Sequence, residues 1–352
     1  MSKIDIKSMT KDELRLALNE IDLPKFRADQ VFSWLHQKGV SSFDEMTNIS
    51  KQLRTSLEDV YEIRSCETET KRVSKEDGTI KYLFKLVDGE YVESVLMKYK
   101  YGYSLCVSTQ VGCRMGCKFC ASTLGGVIRD LTASEILSQI HMAQNDENVR
   151  VSHVVLMGMG EPFDNFENVK RFLFLANCEE GLGLSMRNIS LSTCGIVPKI
   201  YELMDMNLQL TLSVSLHAPN DEIRSSLMPI NKKYNVSELI KACRIYTQKT
   251  SRRISFEYSM ISGVNDSDEC AFELAGLLKG MLCHVNLIPA NEITESNHKR
   301  STNERLQRFM KILNSRGINT TVRRSLGSDI DASCGQLRSK HVKEIKEEEG
   351  KQ

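Results

Sequence analysis

The sequence predicts an α/β protein: a partial (β/α)6 barrel of the TIM type, preceded by a helical N-terminal domain and a β-hairpin extension. Three observations predict it. From Ser104 onward, short apolar runs alternate with amphipathic stretches, the pattern of repeated strand–helix units. Polar residues recur at the ends of those runs, where barrels of this kind gather their active groups. Upstream of Ser104 the pattern is helical first and strictly alternating afterwards. At 352 residues the chain can bury a full core, and its length suits two domains or one barrel with an appendage.

Residues 1–65 form the expected helical accessory domain. Thr10-Lys-Asp-Glu13 fits a capping box, in which hydroxyl and carboxylate each satisfy a free backbone amide. Leu14, Leu16, Leu18 and Ile21 follow with partly helical spacing. Pro24 suits the first turn of a second helix through Phe26, Val31, Phe32, Trp34 and Leu35, which ends near Gly39. Ser42-Phe-Asp-Glu45 and residues 53–60 suggest further helices. The residues by themselves describe a packing module rather than an RNA grip. Over 66–98 the period changes: Ile80, Tyr82, Phe84 and Leu86 alternate with Lys81 and Lys85, Asp88-Gly89 turns the chain, and 91–97 returns. That is a hairpin signal.

The barrel and a C-terminal catalytic segment are expected over 99–338. Candidate strands are 104–108, 153–157, 188–192, 210–215, 253–258 and 284–287, with a last one near 320–323. A helix over 133–144 can be capped by Thr132. The charged tail, 339–352, reads as a frayed helix or disorder.

Formal charge is +1, so no global basic field announces nucleic acid. RNA contact would have to come from local spots such as Lys232-Lys233, Lys299-Arg300 and Arg323-Arg324. Eleven cysteines, with no charged-then-apolar leader, read as reduced, metal-bound or catalytic thiols in a cytoplasmic protein. No apolar run of about 18 residues offers a membrane span.

The chemistry centres on Cys113-Arg-Met-Gly-Cys117-Lys-Phe-Cys120. Structural zinc usually takes four ligands as two separated pairs, and four-iron clusters normally take four cysteines. Three close thiols with no obvious fourth point to a cluster with one open corner, where a substrate or cosubstrate binds. Gly158-Met-Gly160-Glu161-Pro162 follows a strand: glycine admits close backbone approach, and the carboxylate can accept from an ammonium. Cys334 lies in a polar, Gly-containing segment, the setting of an accessible, nucleophilic thiolate. Unaided, Glu93 reads as a solvated strand carboxylate and His217 as a structural histidine. Core packing is the default for Cys66, Cys178, Cys194, Cys243, Cys270 and Cys283.

The three-cysteine loop after a first strand resembles radical S-adenosylmethionine (SAM) enzymes. The wider run Cys106-Val-Ser-Thr-Gln-Val-Gly-Cys113 through Phe119-Cys120-Ala-Ser-Thr-Leu-Gly-Gly126 resembles the RlmN/Cfr family of RNA adenine methyltransferases, and the likeness extends from about residue 10 to Arg338. It implies one [4Fe-4S] cluster held by Cys113, Cys117, Cys120 and an exchangeable SAM, with two SAM consumed per turnover. It implies SAM contacts at Gly160, Glu161, Ser192, Ser215, Leu216, His217 and Asn291. Glu93 would be the proton acceptor, Cys334 the S-methylcysteine carrier, and Cys106 the resolving thiol that forms a transient disulfide with Cys334. Ser333 stands where an alanine is more usual in the family.

By the same resemblance the N-terminal domain helps hold RNA. A carbon radical generated on the S-methyl group of Cys334 adds to the adenine ring; Glu93 then removes the ring proton and Cys106 attacks the Cys334 sulfur. The implied product is 2-methyladenosine in 23S rRNA at the peptidyl-transferase centre and in a subset of tRNAs beside the anticodon. The implied electron donor is a flavodoxin or ferredoxin, and the implied state is a monomer. A Cfr-like enzyme attacking C8 is the nearest competitor; Gln110-Val-Gly-Cys113, Ser192-Thr-Cys-Gly-Ile-Val-Pro198 and Leu287-Ile-Pro-Ala-Asn291 favour the C2 branch. A non-catalytic metal-containing RNA-binding protein is the alternative of another class. The open three-cysteine site and Cys334 argue against it.

Overall fold

The computed structural model describes residues 3–21, 23–290, 298–330, 337, 338 and 341. Its centre is one ten-stranded sheet: β1 (Cys66–Val73), β2 (Ile80–Leu86), β3 (Tyr91–Tyr99), β4 (Gly102–Cys106), β5 (Val151–Leu156), β6 (Ile189–Thr193), β7 (Thr211–Ser215), β8 (Ile254–Met260), β9 (Cys283–Pro289) and β10 (Thr320–Val322). The strands lie side by side in chain order. From β4 to β10 each neighbour is parallel, whereas β1 to β4 form an antiparallel meander. The sheet keeps two edges, so the barrel is open.

The seven parallel strands fall within a few residues of the expected ones. The hairpin is larger than expected. Its added strand, β1, reads Cys-Glu-Thr-Glu-Thr-Lys-Arg-Val and is mostly exposed. A polar edge strand of this kind resists pairing with foreign chains, and it carries no apolar alternation to betray it. The central strand β2 is buried on both faces, with Lys85 exposed but Lys81 enclosed. The alternation that sets Lys81 beside Lys85 on one face thus does not put both in solvent.

Alternation along the parallel strands separates two environments. Leu105, Val154, Leu156, Leu191, Leu212, Val214, Phe256 and Val285 point outward into a single apolar core. Covering helices include Ala133–Glu147, Phe166–Asn177, Val236–Thr250 and Asn303–Ser315. Each fully buried Leu or Val there contributes roughly 2 kcal/mol relative to exposure. The first of these helices begins as expected, with Thr132 and Glu135 forming a capping box. Inward positions are polar instead: Ser192, Ser213 and Ser255 stand in register on β6, β7 and β8. A barrel packed shut would place branched aliphatics there. The polar concave face is what remains for chemistry.

The N-terminal helices Lys11–Asn19, Lys25–His36 and Lys51–Val60 deliver Leu14, Leu18, Phe32, Leu35 and Leu57 to the same core. Thr10 and Glu13 form the expected capping box. Pro24 is the N-cap of the second helix, one position before its first turn, and 43–45 makes a 3-10 turn rather than an α-helix. No helix among the described residues is long and apolar enough to cross a membrane.

Candidate active site

The cysteine loop leaves a short strand, Gln110–Gly112, which pairs antiparallel with Val127–Asp130. Gly112 has a φ of +81°, and a Cβ there would lie 2.0 Å from the Gly126 carbonyl oxygen. Only glycine fits this crossing. Cys113 N donates to Gly126 O at 2.8 Å and Cys120 N to Cys117 O at 3.1 Å. Thr123 Oγ1 donates to Cys120 O at 2.9 Å. The loop is thus fixed by its own backbone, with Lys118 N tied to Leu227 O at 3.0 Å.

All three cysteines line one cavity of about 230 Å³, whose other walls include Gly160, Glu161, Ser192, Ser215 and His217. Sequence reasoning picked these residues separately; the barrel end brings them together. Burial pushes the Cys113 thiol up to about 12 and raises Cys117 as well. Sulfurs this poorly hydrated become thiolates when a cation coordinates them. Among the described residues, no three His, Cys, Asp or Glu side chains gather as a single metal ion requires. Three thiols from one loop that open on one cavity offer three of the ligands an iron–sulfur cluster takes. The donor set therefore fits the group.

Glu161 is buried beside the loop, and burial raises its carboxyl above the usual range. Its Oε2 accepts from Cys194 N at 2.7 Å and its Oε1 from Phe163 N at 3.1 Å. The Thr193 hydroxyl and the Cys194 thiol also bond this carboxylate. Gly160 adopts a φ of +101°, and a Cβ there would lie 2.7 Å from the backbone nitrogen of Gln110. His217 occupies the left-handed region at φ +56°. Its Nδ1 accepts from Ser259 N at 2.8 Å, so the ring proton resides on Nε2. Burial draws the imidazole down to about 3, which keeps it a neutral donor. Phe119 stands edge-on to the ring at 4.7 Å.

Leu216 is different. Its side chain is in the apolar core, and its main chain supplies N to Glu257 O and O to Arg224 Nε. Asn291 and Cys334 lie outside the described residues.

Glu93 and Cys106 do not line the cavity but occupy the same concave face. Cys106 is in register with Val95, two residues beyond Glu93 on β3. It packs with Val95, Met97, Val155, Met157 and Leu326. Met157 also borders the cavity, so it stands between the two regions. Glu93 pairs with Lys81 at 2.9 Å and accepts from Arg338 N at 2.6 Å. It is buried rather than solvated.

Both flanks of residues 331–336 dock on the β1–β3 meander. Gly327 N donates to Asp77 Oδ2 at 2.9 Å, Ser328 Oγ to Glu76 Oε2 at 3.0 Å, and Lys75 N to Asp329 Oδ2 at 2.9 Å. On the far side Arg338 pairs with Glu90 at 3.0 Å, and His341 stands edge-on to Tyr91 at 4.8 Å.

Several site residues escaped the sequence reading. Glu257 lines the cavity, with Oε1 accepting from Ser255 Oγ at 2.9 Å and Oε2 from Asn286 Nδ2 at 2.7 Å. Cys194 borders the cavity as well as an apolar cluster beneath the cysteine loop. Arg224 is fully enclosed and joins the ends of β6 and β7. It donates to Cys194 O at 2.6 Å, Ser215 O and Leu216 O at 3.2 Å, and Asn231 Oδ1 at 3.1 Å. The residue before a strand-end polar group was the available signal for none of these; Arg224 in a helix reads as an ordinary surface charge.

Residues 107–275 match the model of the radical SAM superfamily, and residues 4–63 match that of the ribosomal RNA large subunit methyltransferase N-terminal domain. A Lachnospira eligens protein named "Probable dual-specificity RNA methyltransferase RlmN" is 54% identical, covering 98% of this chain and 99% of its own. A Clostridium botulinum protein of the same name is 55% identical, covering 96% and 97%. The crystal structure of a radical SAM methyltransferase from Sphaerobacter thermophilus superposes with a TM-score of 0.90 at 44% identity, covering 95% of this chain and 98% of that one. Enzymes of this type use a [4Fe-4S] cluster with SAM. The chain belongs to the RlmN family of radical SAM RNA methyltransferases.

Proposed function

We propose that the protein methylates C2 of adenine 2503 in 23S rRNA and of adenine 37 in a subset of tRNAs, through a methyl-cysteine intermediate. The observation that carries this reading is the shared concave face: three loop thiols at one cavity, with Cys106 and Glu93 a few residues along the same surface. Cys113, Cys117 and Cys120 would hold the [4Fe-4S] cluster, and Gly160, Glu161, Ser192, Ser215, His217 and the main chain of Leu216 would hold SAM, joined by Asn291. Together these cofactors supply a methyl group and a carbon-centred radical.

The chain's own residues do the rest. Glu161 offers a buried carboxylate to an ammonium, and His217 offers an Nε2–H donor in a pocket too dry to protonate it further. Cys334 carries the methyl group to the base. Glu93 accepts the ring proton, and the Cys106 thiolate attacks the Cys334 sulfur; the S–CH2 bond breaks, its electron pair goes to the methylene, a proton completes the methyl group, and a disulfide joins the two cysteines. The residues on either side of 331–336, at 327–330 and 338, dock on the meander.

Residues 1–65 serve as the RNA-holding accessory domain, 66–98 as the extension, 99–338 as the barrel with its catalytic segment, and 339–352 as a tail. The protein acts in the cytoplasm as a monomer fed by a flavodoxin or ferredoxin. Nucleoside mass spectrometry of RNA from a host lacking its own enzyme tests the function. The intact chain is expected to give 2-methyladenosine, and Cys334→Ala none. A yield of 8-methyladenosine would overturn the C2 assignment and favour the Cfr-like branch.

A further inference from the structure

Lys81 and Glu93 are 0% and 1% exposed, on neighbouring strands of the meander. Lys81 Nζ lies 2.9 Å from Glu93 Oε2, while Oε1 accepts the Arg338 amide at 2.6 Å. Lys81 is in register with Val95, and Val95 with Cys106, so the ion pair shares its face with the Cys106 thiol. Among the described residues, the titratable and charged groups on this face are Lys81 from β2, Cys106 from β4 and Arg338 from the C-terminal segment. The Arg338 guanidinium is itself committed to Glu90.

A buried ion pair is a poor device for stability, because desolvating two charges costs about as much as their attraction returns. It is an effective device for charge state. A carboxylate removed from water is driven toward its neutral form unless a cation faces it. A protonated carboxyl cannot accept another proton.

We infer that Lys81 is a positioning residue for the methylation reaction: its ammonium keeps the Glu93 carboxylate ionised and fixed in one orientation for the proton-transfer step. The inference rests on the role given to Glu93 above. The step itself involves no redox change. The C–H bond at the substituted ring carbon breaks, its electron pair stays in the ring system, and the proton passes to Glu93, leaving a neutral carboxyl beside the ammonium.

The test uses the full chain with reconstituted cluster and RNA, in single turnovers across the range around neutral pH. One readout is the rate at which the covalent protein–RNA adduct resolves. The other is the infrared C=O band of a protonated carboxyl in the cluster-free chain, assigned by its loss in Glu93→Gln. In Lys81→Met the acidic limb of the rate profile is expected to move up by at least about one pH unit, slowing resolution on that limb about tenfold. The C=O band is expected to appear at a pH where the wild type lacks it, and Lys81→Arg to return both readouts toward wild type. Should Lys81→Met not fold, Lys81→Gln carries the same expectation. A wild-type limb with no new band overturns the inference. Glu93→Gln separates the two claims: if it resolves adduct normally, the role of Glu93 fails; if it stalls while Lys81→Met is silent, only the role of Lys81 fails.

Discussion

Replacing Arg224 with methionine would strand three main-chain oxygens and one amide oxygen, those of Cys194, Ser215, Leu216 and Asn231. A buried acceptor left without its donor costs about 1–3 kcal/mol, so the four together set an upper bound of about 4–12 kcal/mol. Against that stands the relief of no longer burying a guanidinium, several kcal/mol in itself. The net expectation is a loss of about 3–5 kcal/mol and a fall in Tm on the order of 5–10 °C. The damage would fall on the ends of β6 and β7, which carry Ser192, Ser215 and His217. SAM binding is therefore expected to weaken about 10–100-fold, equivalent to about 1.4–2.8 kcal/mol. Thermal unfolding of the cluster-free chain and equilibrium dialysis of SAM against the reconstituted enzyme measure the two effects. Arg224→Lys should recover little, since a point charge cannot span four acceptors. Wild-type Tm and SAM affinity in Arg224→Met would refute the reasoning.

Other expectations are more local. Gly160→Ala must place a Cβ 2.7 Å from a backbone nitrogen at φ +101°, so it should cost about 2–5 kcal/mol and weaken SAM binding, read by unfolding and dialysis. Iron and sulfide analysis should find about four of each per chain, lost in Cys117→Ala; one zinc instead would favour a binding protein. The double change Asp77→Ala, Glu90→Ala removes one anchor from each flank of the Cys334 segment. It should slow turnover up to about thirtyfold with cluster content unchanged, as two lost bonds of about 1 kcal/mol would do at most. Stability should also depend on pH through His36, which burial lowers to about 3 in the fold. Its folded value lies below the ordinary 6.5, so the unfolded chain binds the proton first as pH falls. Stability is then full above about pH 6.5 and declines toward pH 3 by about 1.4 kcal/mol per unit. The buried His217 adds to the slope in the same way, so urea unfolding of His36→Leu should show it reduced by about 1.4 kcal/mol per unit rather than abolished.

The parallel strands were legible from their short apolar runs with polar ends: Leu191 and Leu212 face the helices, while Ser192 and Ser213 are on the concave side. The loop cysteines and the glycine–glutamate turn were legible because their spacing and neighbours restrict what they can do. The enclosure of Lys81 was not legible, because alternation reports which face a residue occupies, not whether that face meets water. The meander's concave side is enclosed, and a lysine there pairs with Glu93. Arg224 and Glu257 were missed for a related reason. Their partners, the strand-end carbonyls and Asn286, lie on other elements, and no local pattern announces such contacts. The strand β1 has no apolar period at all, and only its pairing with β2 identifies it.

The central claim is that a methyl group travels on Cys334, is joined to the adenine, and is released by Cys106. The most direct measurement is peptide-level mass spectrometry of the protein–RNA adduct formed by Cys106→Ala in the presence of SAM, a reductant and RNA. The account predicts an adduct that persists, tethered through a methylene between Cys334 and C2 of adenine. Methylated RNA released freely by Cys106→Ala, or an adduct mapped to any residue other than Cys334, would contradict it.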